Sequence, residues 1–310
     1  MPSIFPSACD AAFIPVDKSR GLSPRFGKIQ SVLKNAHVYQ RIVVPLSFAL
    51  LLLFISAPAA LANSHGSGLS LVGPKQHYLA LGDSLAFGYQ PDLNYSHGYV
   101  DDFFSNLKSH GVKDVANMGC PGETSVTFLN GKCPYPFLRK FPYVGSQLNA
   151  ALAYLKLHAG QVSPVTLDIG ANDLTRDVNT SNCSVNQQQF QLDLATLDNN
   201  LAHIILPQLH AALTINGHVT GDLVMMNLYD PFQNICPNSV PITETVNAHL
   251  AADVSNYGTI VDVFSAFGGP KTPNPHICTY TWMCSIFKDI HATNRGYSVI
   301  AATFEQGTGY

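Results

Sequence analysis

Short apolar runs alternate with helix-period stripes along most of the chain from about residue 77 onward. Residues 77–81 are an apolar run that stops at Gly82. The segments 112–118, 165–169, 222–228 and 259–263 repeat the pattern of a buried strand. Between them, apolar residues recur at helical spacing over 99–109, 144–158, 187–213, 242–257 and 294–304. In the second of these, Leu148, Ala151, Leu152 and Leu155 share one face. Pro207 predicts a kink in the third. Strand–helix alternation of this kind predicts an α/β fold. The expected architecture is a flavodoxin-like three-layer sandwich, a five-stranded parallel sheet with helices on both faces. Such sheets bind ligands outside the carboxyl ends of their strands. Two stretches rich in Pro and aromatics, 131–143 and 265–284, have little regular pattern. They read as functional loops or as surface loops pinned by disulfides.

Ahead of this pattern lies the most apolar segment, residues 42–57, preceded by Lys28, Lys34 and Arg41 and followed by Ala60-Leu61-Ala62. A basic flank, an apolar run and a small-x-small site define an export signal. Residues 1–62 are therefore expected to be an N-terminal extension and signal peptide, and 63–310 the catalytic domain. Cleavage after Ala62 would release a secreted protein beginning at Asn63. The alternative is an uncleaved anchor that holds the domain outside the membrane, since the run approaches the length of a span.

Cysteine usage fits an exported chain. Cys9 precedes the apolar run, and six remain after it: Cys120, Cys133, Cys183, Cys236, Cys278 and Cys284. An even count suggests disulfides. Six cysteines allow 15 pairings; closing the shortest loops pairs Cys120 with Cys133, Cys183 with Cys236 and Cys278 with Cys284. No Cys/His spacing matches a zinc site, and His203 and His210 flank Pro207 as surface or capping residues, so no metal is expected. Apolar residues make up 46% and charged residues 12%, with a net charge of −3, which argues for a full core and against a nucleic-acid partner.

Four short blocks carry candidate chemistry. In the first, Gly82-Asp83-Ser84-Leu85, a serine hydroxyl sits at the carboxyl end of the first strand; its plain alternative is a helix cap. Ala86 stands where a nucleophile elbow of the G-x-S-x-G type needs glycine. The second, Asn117 to Ser125, contains Gly122, where backbone N–H can approach a ligand closely, or which serves only a turn. In the third, Gly170-Ala171-Asn172-Asp173, the Asn172 amide can donate to an oxyanion or cap a turn. The fourth, Asp289-Ile290-His291, places a carboxylate and an imidazole before the last helix. Asp83 and Asp173 are expected to brace these loops.

In this order, over about residues 75–304, the four blocks resemble the GDSL/SGNH hydrolase family. The resemblance implies a flavodoxin-like sheet and a serine esterase or lipase that needs no cofactor. It implies Ser84 as nucleophile and His291 as base, with an oxyanion hole of Ser84 N–H, Gly122 N–H and the Asn172 amide. One departure concerns the acid. The family has two residues between acid and histidine, but here only Ile290 intervenes and Lys288 holds the usual position. Residues two apart in an extended loop point the same way, so Asp289 is assigned the acid role. A backbone carbonyl from 280–284 is the alternative.

The implied partner is a small-molecule or lipid acyl ester, taken by a monomer, with residues 131–143 lining an acyl pocket. Deacetylation of a polysaccharide is the runner-up. A catalytically inert binding protein on the same fold is the reading from a different class.

Overall fold

The computed structural model describes residues 70–310. The expected export signal at 42–57 and the boundary after Ala62 lie outside the described residues. β1 (His77–Gly82) feeds a four-residue helix, α1 (Ser84–Phe87), then α2 (Tyr99–Leu107) and β2 (Asp114–Asn117). α3 (Ser125–Asn130) and α4 (Gln147–Leu157) lead to β3 (Val162–Asp168) and α5 (Ala171–Leu174). A hairpin of β4 (Val178–Asn179) and β5 (Ser184–Val185) precedes α6 (Gln187–Asn200) and α7 (Leu206–Ala212). A second hairpin, β6 (Thr214–Ile215) and β7 (His218–Val219), precedes β8 (Leu223–Met226) and α8 (Val240–Val254). β9 (Thr259–Val261), α9 (Val263–Ala266), α10 (Ile277–Tyr280) and α11 (Asn294–Thr308) complete the order.

The five longer strands form one parallel sheet in the order β2-β1-β3-β8-β9. This is the flavodoxin-like order expected from the alternation. Side chains of β1 divide between two cores, as a pleated strand requires. Leu79 and Leu81 pack with Leu148, Leu155, Leu197 and Leu250 from α4, α6 and α8. Tyr78 and Ala80 pack with Phe103 from α2 and Ile300 and Phe304 from α11. Covering both faces is what a parallel sheet demands, and each fully buried Leu or Phe contributes about 1.5–3 kcal/mol.

The single long helix expected over 187–213 is two helices. Residues 201–205 form a wider turn in which Leu206 N–H reaches Leu201 O. Pro207 has no N–H, and its ring crowds the carbonyl four residues back, so the ordinary ladder cannot run through. The stretch 265–284 also departs from the irregular loop expected. It carries the end of α9, α10 and a helical turn at Trp282–Cys284, elements too short to show a period.

Because β2 and β3 lie on opposite sides of β1, the sheet has its switch point there, and a crevice opens beyond the carboxyl ends of β1 and β3. Three disulfides join Cys120–Cys133, Cys183–Cys236 and Cys278–Cys284, the pairing expected from closeness in sequence. The first pins the loop after β2, and the third pins the segment ahead of His291.

Candidate active site

β1 ends at Gly82, whose φ of +141° is open to glycine, and a Cβ there would meet Asp168 Oδ1 at 2.1 Å. Asp83 caps α1 by accepting Leu85 N–H at 2.9 Å, so Ser84 becomes the first residue of that helix. The Ser84 hydroxyl therefore stands at the switch point. From the far end of the chain, Thr293 caps α11 through Gly296 N–H, which sets His291 two residues ahead of the cap. Three bonds fix that loop: Trp282 N–H to His291 O, Thr293 N–H to Tyr280 O, and Tyr229 O–H to Ile290 O.

These supports bring four of the sequence-selected side chains together. Ser84 Oγ lies 2.8 Å from His291 Nε2 and 3.3 Å from Asp83 Oδ1. His291 Nδ1 lies 2.6 Å from Asp289 Oδ1, and the same oxygen accepts the His291 backbone N–H at 2.8 Å. The i, i+2 spacing therefore suffices for contact. In the alternative segment, 280–284, the Tyr280 and Trp282 carbonyls accept the N–H groups of Thr293 and Asp289 instead, and Trp282 N–H donates to the His291 carbonyl. Burial pushes the Asp289 carboxyl up, but the His291 ring hydrogen bond, the His291 charge and the backbone N–H outweigh it, and the group sits below the usual carboxylate range.

Gly122 and Asn172 sit at the same crevice. Gly122 has φ +79°, and a Cβ there would press on Pro134 Cγ at 3.0 Å. The backbone N–H groups of Ser84 and Gly122 have no hydrogen-bond partner among the described residues. Asn172 Nδ2 donates to Asp83 Oδ2 and to the Glu123 carbonyl, both at 3.0 Å. Asp173 turns the other way and binds Ser125 N–H and Oγ, tying the loop after β3 to α3.

Several participants carried no motif. Asp168, the last residue of β3, is fully buried and accepts Tyr99 O–H at 2.8 Å and Ala86 N–H at 3.0 Å. Burial and the nearby Asp83 charge push its carboxyl well above the usual range. Burial likewise raises Asp83, partly offset by Leu85 N–H and the His291 charge. Gln147 clamps both backbone groups of Gly82 and donates to the buried Glu123 carboxylate. The Tyr89 ring lies against the His291 imidazole, 4.6 Å between centroids. One signal for Asp168 was present, the single charged residue in a buried strand.

From Ser84 a cavity of about 110 Å³ runs between α5, α6 and α8. Its walls are Leu174, Val178, Phe190, Leu228, Phe232, Ile242, Val246 and Ile290, with Asp230, Ser239 and Thr243 as polar contributors. No residue of 131–143 lines it, which corrects the expectation for that loop. That segment follows β2, whereas the cavity lies on the β3–β8 side of Ser84.

A profile of the GDSL-like lipase/acylhydrolase family matches residues 80–299. The chain belongs to that family. This family member is accordingly a carboxylic ester hydrolase, and its matched span runs from inside β1 into α11 and holds all four blocks. Among solved structures it is similar to the acetylxylan esterase Axe2 from Geobacillus stearothermophilus. Identity is 15%, coverage is 78% of this chain and 97% of that one, and the TM-score is 0.50. It is also similar to the lipase Lip_vut3 from a goat rumen metagenome, at 16% identity, with 75% and 97% coverage and a TM-score of 0.52. At these identities the likeness speaks for the shared fold. No curated protein matches the chain significantly.

Proposed function

We propose that this family member is an exported serine ester hydrolase in which Ser84 is the nucleophile, His291 the general base and Asp289 the group that orients the imidazole. The observation that carries this reading is the unbroken line Ser84 Oγ–His291 Nε2, 2.8 Å, and His291 Nδ1–Asp289 Oδ1, 2.6 Å. His291 takes the Ser84 proton as Oγ attacks the acyl carbonyl. The carboxylate of Asp289, ionised because its hydrogen bonds hold it low, stabilises the imidazolium that forms. Charge on the carbonyl oxygen is received by the N–H groups of Ser84 and Gly122, and by Asn172 once one of its N–H bonds leaves Glu123 O. His291 then protonates the leaving alcohol. Water attacks the acyl-enzyme with His291 again as base.

For the substrate, the apolar cavity beside Ser84 favours an acyl chain over a bare acetyl group. Each methylene buried there contributes about 0.8 kcal/mol. Going from acetate to butyrate, two methylenes, should therefore raise kcat/KM by about tenfold. Export is supported by the signal pattern at 42–57 together with three disulfides in the domain that follows.

The test is a p-nitrophenyl ester series from acetate upward, set beside acetylated xylan, for the wild type and Ser84→Ala. Loss of about 10⁴-fold or more in the variant is expected. Full activity in Ser84→Ala would overturn the assignment, and xylan preferred to butyrate would overturn the substrate class. N-terminal sequencing of exported protein should begin at Asn63.

A further inference from the structure

Glu123 sits where the three proposed oxyanion donors meet. It follows Gly122 directly, and its backbone carbonyl accepts Asn172 Nδ2 at 3.0 Å. Its carboxylate Oε2 accepts Gln147 Nε2 at 3.0 Å. The same Gln147 nitrogen donates to the Gly82 carbonyl at 2.9 Å, and Gln147 Oε1 accepts Gly82 N–H at 2.6 Å. Gly82 ends β1 two residues ahead of Ser84. The path Gly122–Glu123–Gln147–Gly82–Ser84 thus joins the loop after β2 to the loop after β1 through the first residue of α4. Glu123 and Gln147 are each only 1% exposed.

Packing alone does not call for these two residues. A carboxyl buried this deeply costs free energy that an apolar side chain of similar size would not. One of its oxygens, Oε1, is buried with no partner among the described residues. What the other oxygen supplies is an acceptor for Gln147. A carboxylate accepts and does not donate, so Gln147 turns its NH2 toward Glu123 and its oxygen toward Gly82 N–H. Each polar atom of that amide is then engaged, and the amide has one orientation. The loop after β2 has further ties to β1, since Cys120 N–H donates to the Gly82 carbonyl and Glu123 N–H to the Cys120 carbonyl. Gly122 itself, at φ +79°, has no side chain to hold its N–H in place. The Glu123 side chain anchors it from the next residue. An oxyanion donor has to stand within about 2.7–3.1 Å of where the charge develops, so the spacing of the two loops matters directly.

We propose that Glu123 and Gln147 act as one brace that sets the spacing of Ser84 N–H and Gly122 N–H. They are positioning residues that tune the oxyanion hole without touching substrate. The proposal rests on the hydrolytic reading, whose own test is Ser84→Ala. The experiment measures kcat and KM on p-nitrophenyl butyrate for the mature protein, with circular dichroism to confirm folding. The variants are Glu123→Gln, Glu123→Leu, Gln147→Met and the Glu123→Leu/Gln147→Met double variant. Glu123→Leu and Gln147→Met should each lower kcat by about 10- to 100-fold, the cost of donors misplaced by a fraction of an ångström to about 1 Å. The hole serves acylation and deacylation alike, so KM should stay within about twofold. Glu123→Gln keeps an acceptor for Gln147 and should stay within about fivefold of wild type. The double variant should lose no more than the worse single one, because both break the same link. Wild-type kcat in folded Glu123→Leu, losses that appear in KM, or single effects that multiply in the double variant would each overturn the brace. So would a Glu123→Gln as impaired as Glu123→Leu. Failure of both Glu123→Leu and Gln147→Met to fold would make the pair a folding element and overturn it as well. Activity retained in Ser84→Ala overturns the hydrolytic reading itself, whereas an inert Ser84→Ala beside fully active Glu123→Leu and Gln147→Met overturns the brace alone.

Discussion

Replacing Asp289 by Asn isolates what its charge contributes to the catalytic line. A single oxygen, Oδ1, accepts both the His291 backbone N–H at 2.8 Å and the ring Nδ1–H at 2.6 Å. An Asn side chain can present its one carbonyl oxygen at that point, so both bonds survive and the ring keeps its tautomer. Only the negative charge is lost. A hydrogen bond to a charged group contributes about 1.5–3 kcal/mol and a neutral one about 0.5–1.5, so the difference is about 1–2 kcal/mol. In the transition state this is a loss of about 5- to 30-fold in kcat/KM. Asp289→Ala removes both bonds and the restraint on the ring, and should cost about 10²-fold or more. The assay is kcat/KM on p-nitrophenyl butyrate for both variants, with circular dichroism to confirm folding. An Asn variant as inert as Ser84→Ala would show that the shared-oxygen geometry does not hold in the working enzyme. A fully active Ala variant would hand the orienting role to another group.

Val178→Trp places a large side chain in the cavity wall without entering the deep core, and should erase the advantage of butyrate over acetate while leaving acetate turnover within a few-fold; the ester series reads this directly. Burial and the neighbouring Asp198 charge raise half-buried Asp253 to about 6, and its Oδ2 has no partner. The folded state therefore binds this proton more tightly than the unfolded chain, and stability is lost as pH rises from about 4 to about 6. Discounted for solvent exposure, Asp253→Asn should stabilise by about 1 kcal/mol near pH 8 and by nothing near pH 4, as urea titrations at the two pH values will show. Cys278 and Cys284 are separated by 6 residues, and opening that short loop with Cys278→Ser/Cys284→Ser should cost about 2 kcal/mol in the same titration. Gly82→Ala puts a methyl group against Asp168, at φ +141°, and should fail to accumulate as folded protein on expression.

Periodicity alone located all five sheet strands and the helices of nine residues or more, because a segment buried on both faces, or along one stripe, has to carry its burial in its own composition. The helices α1, α3 and α5 went unseen for the converse reason. At four to six residues they are shorter than two turns and show no period, yet each supports a loop at the crevice. Ser84, Gly122 and Asn172 were legible as candidates because glycines and polar residues at strand ends interrupt apolar runs, and His291 because a carboxylate two residues away shares its loop before the last helix.

Other features depend on distance across the fold. Asp168 reads as one charged letter in a strand until the sheet order sets it beside Asp83 and against Gly82, where burial and the Asp83 charge raise its carboxyl. The cavity walls, Phe190 and Val246 among them, read as ordinary core positions on helices, and only the packing of α5, α6 and α8 leaves space between them. By itself, then, the chain's pattern determined which segments must be buried and which polar residues the strands deliver to their ends, since burial and turn chemistry are local properties. The contact of His291 with Ser84, 207 positions apart, and the opening of an apolar cavity beside them were decided by tertiary structure, because no local rule relates side chains that distant until the sheet is assembled.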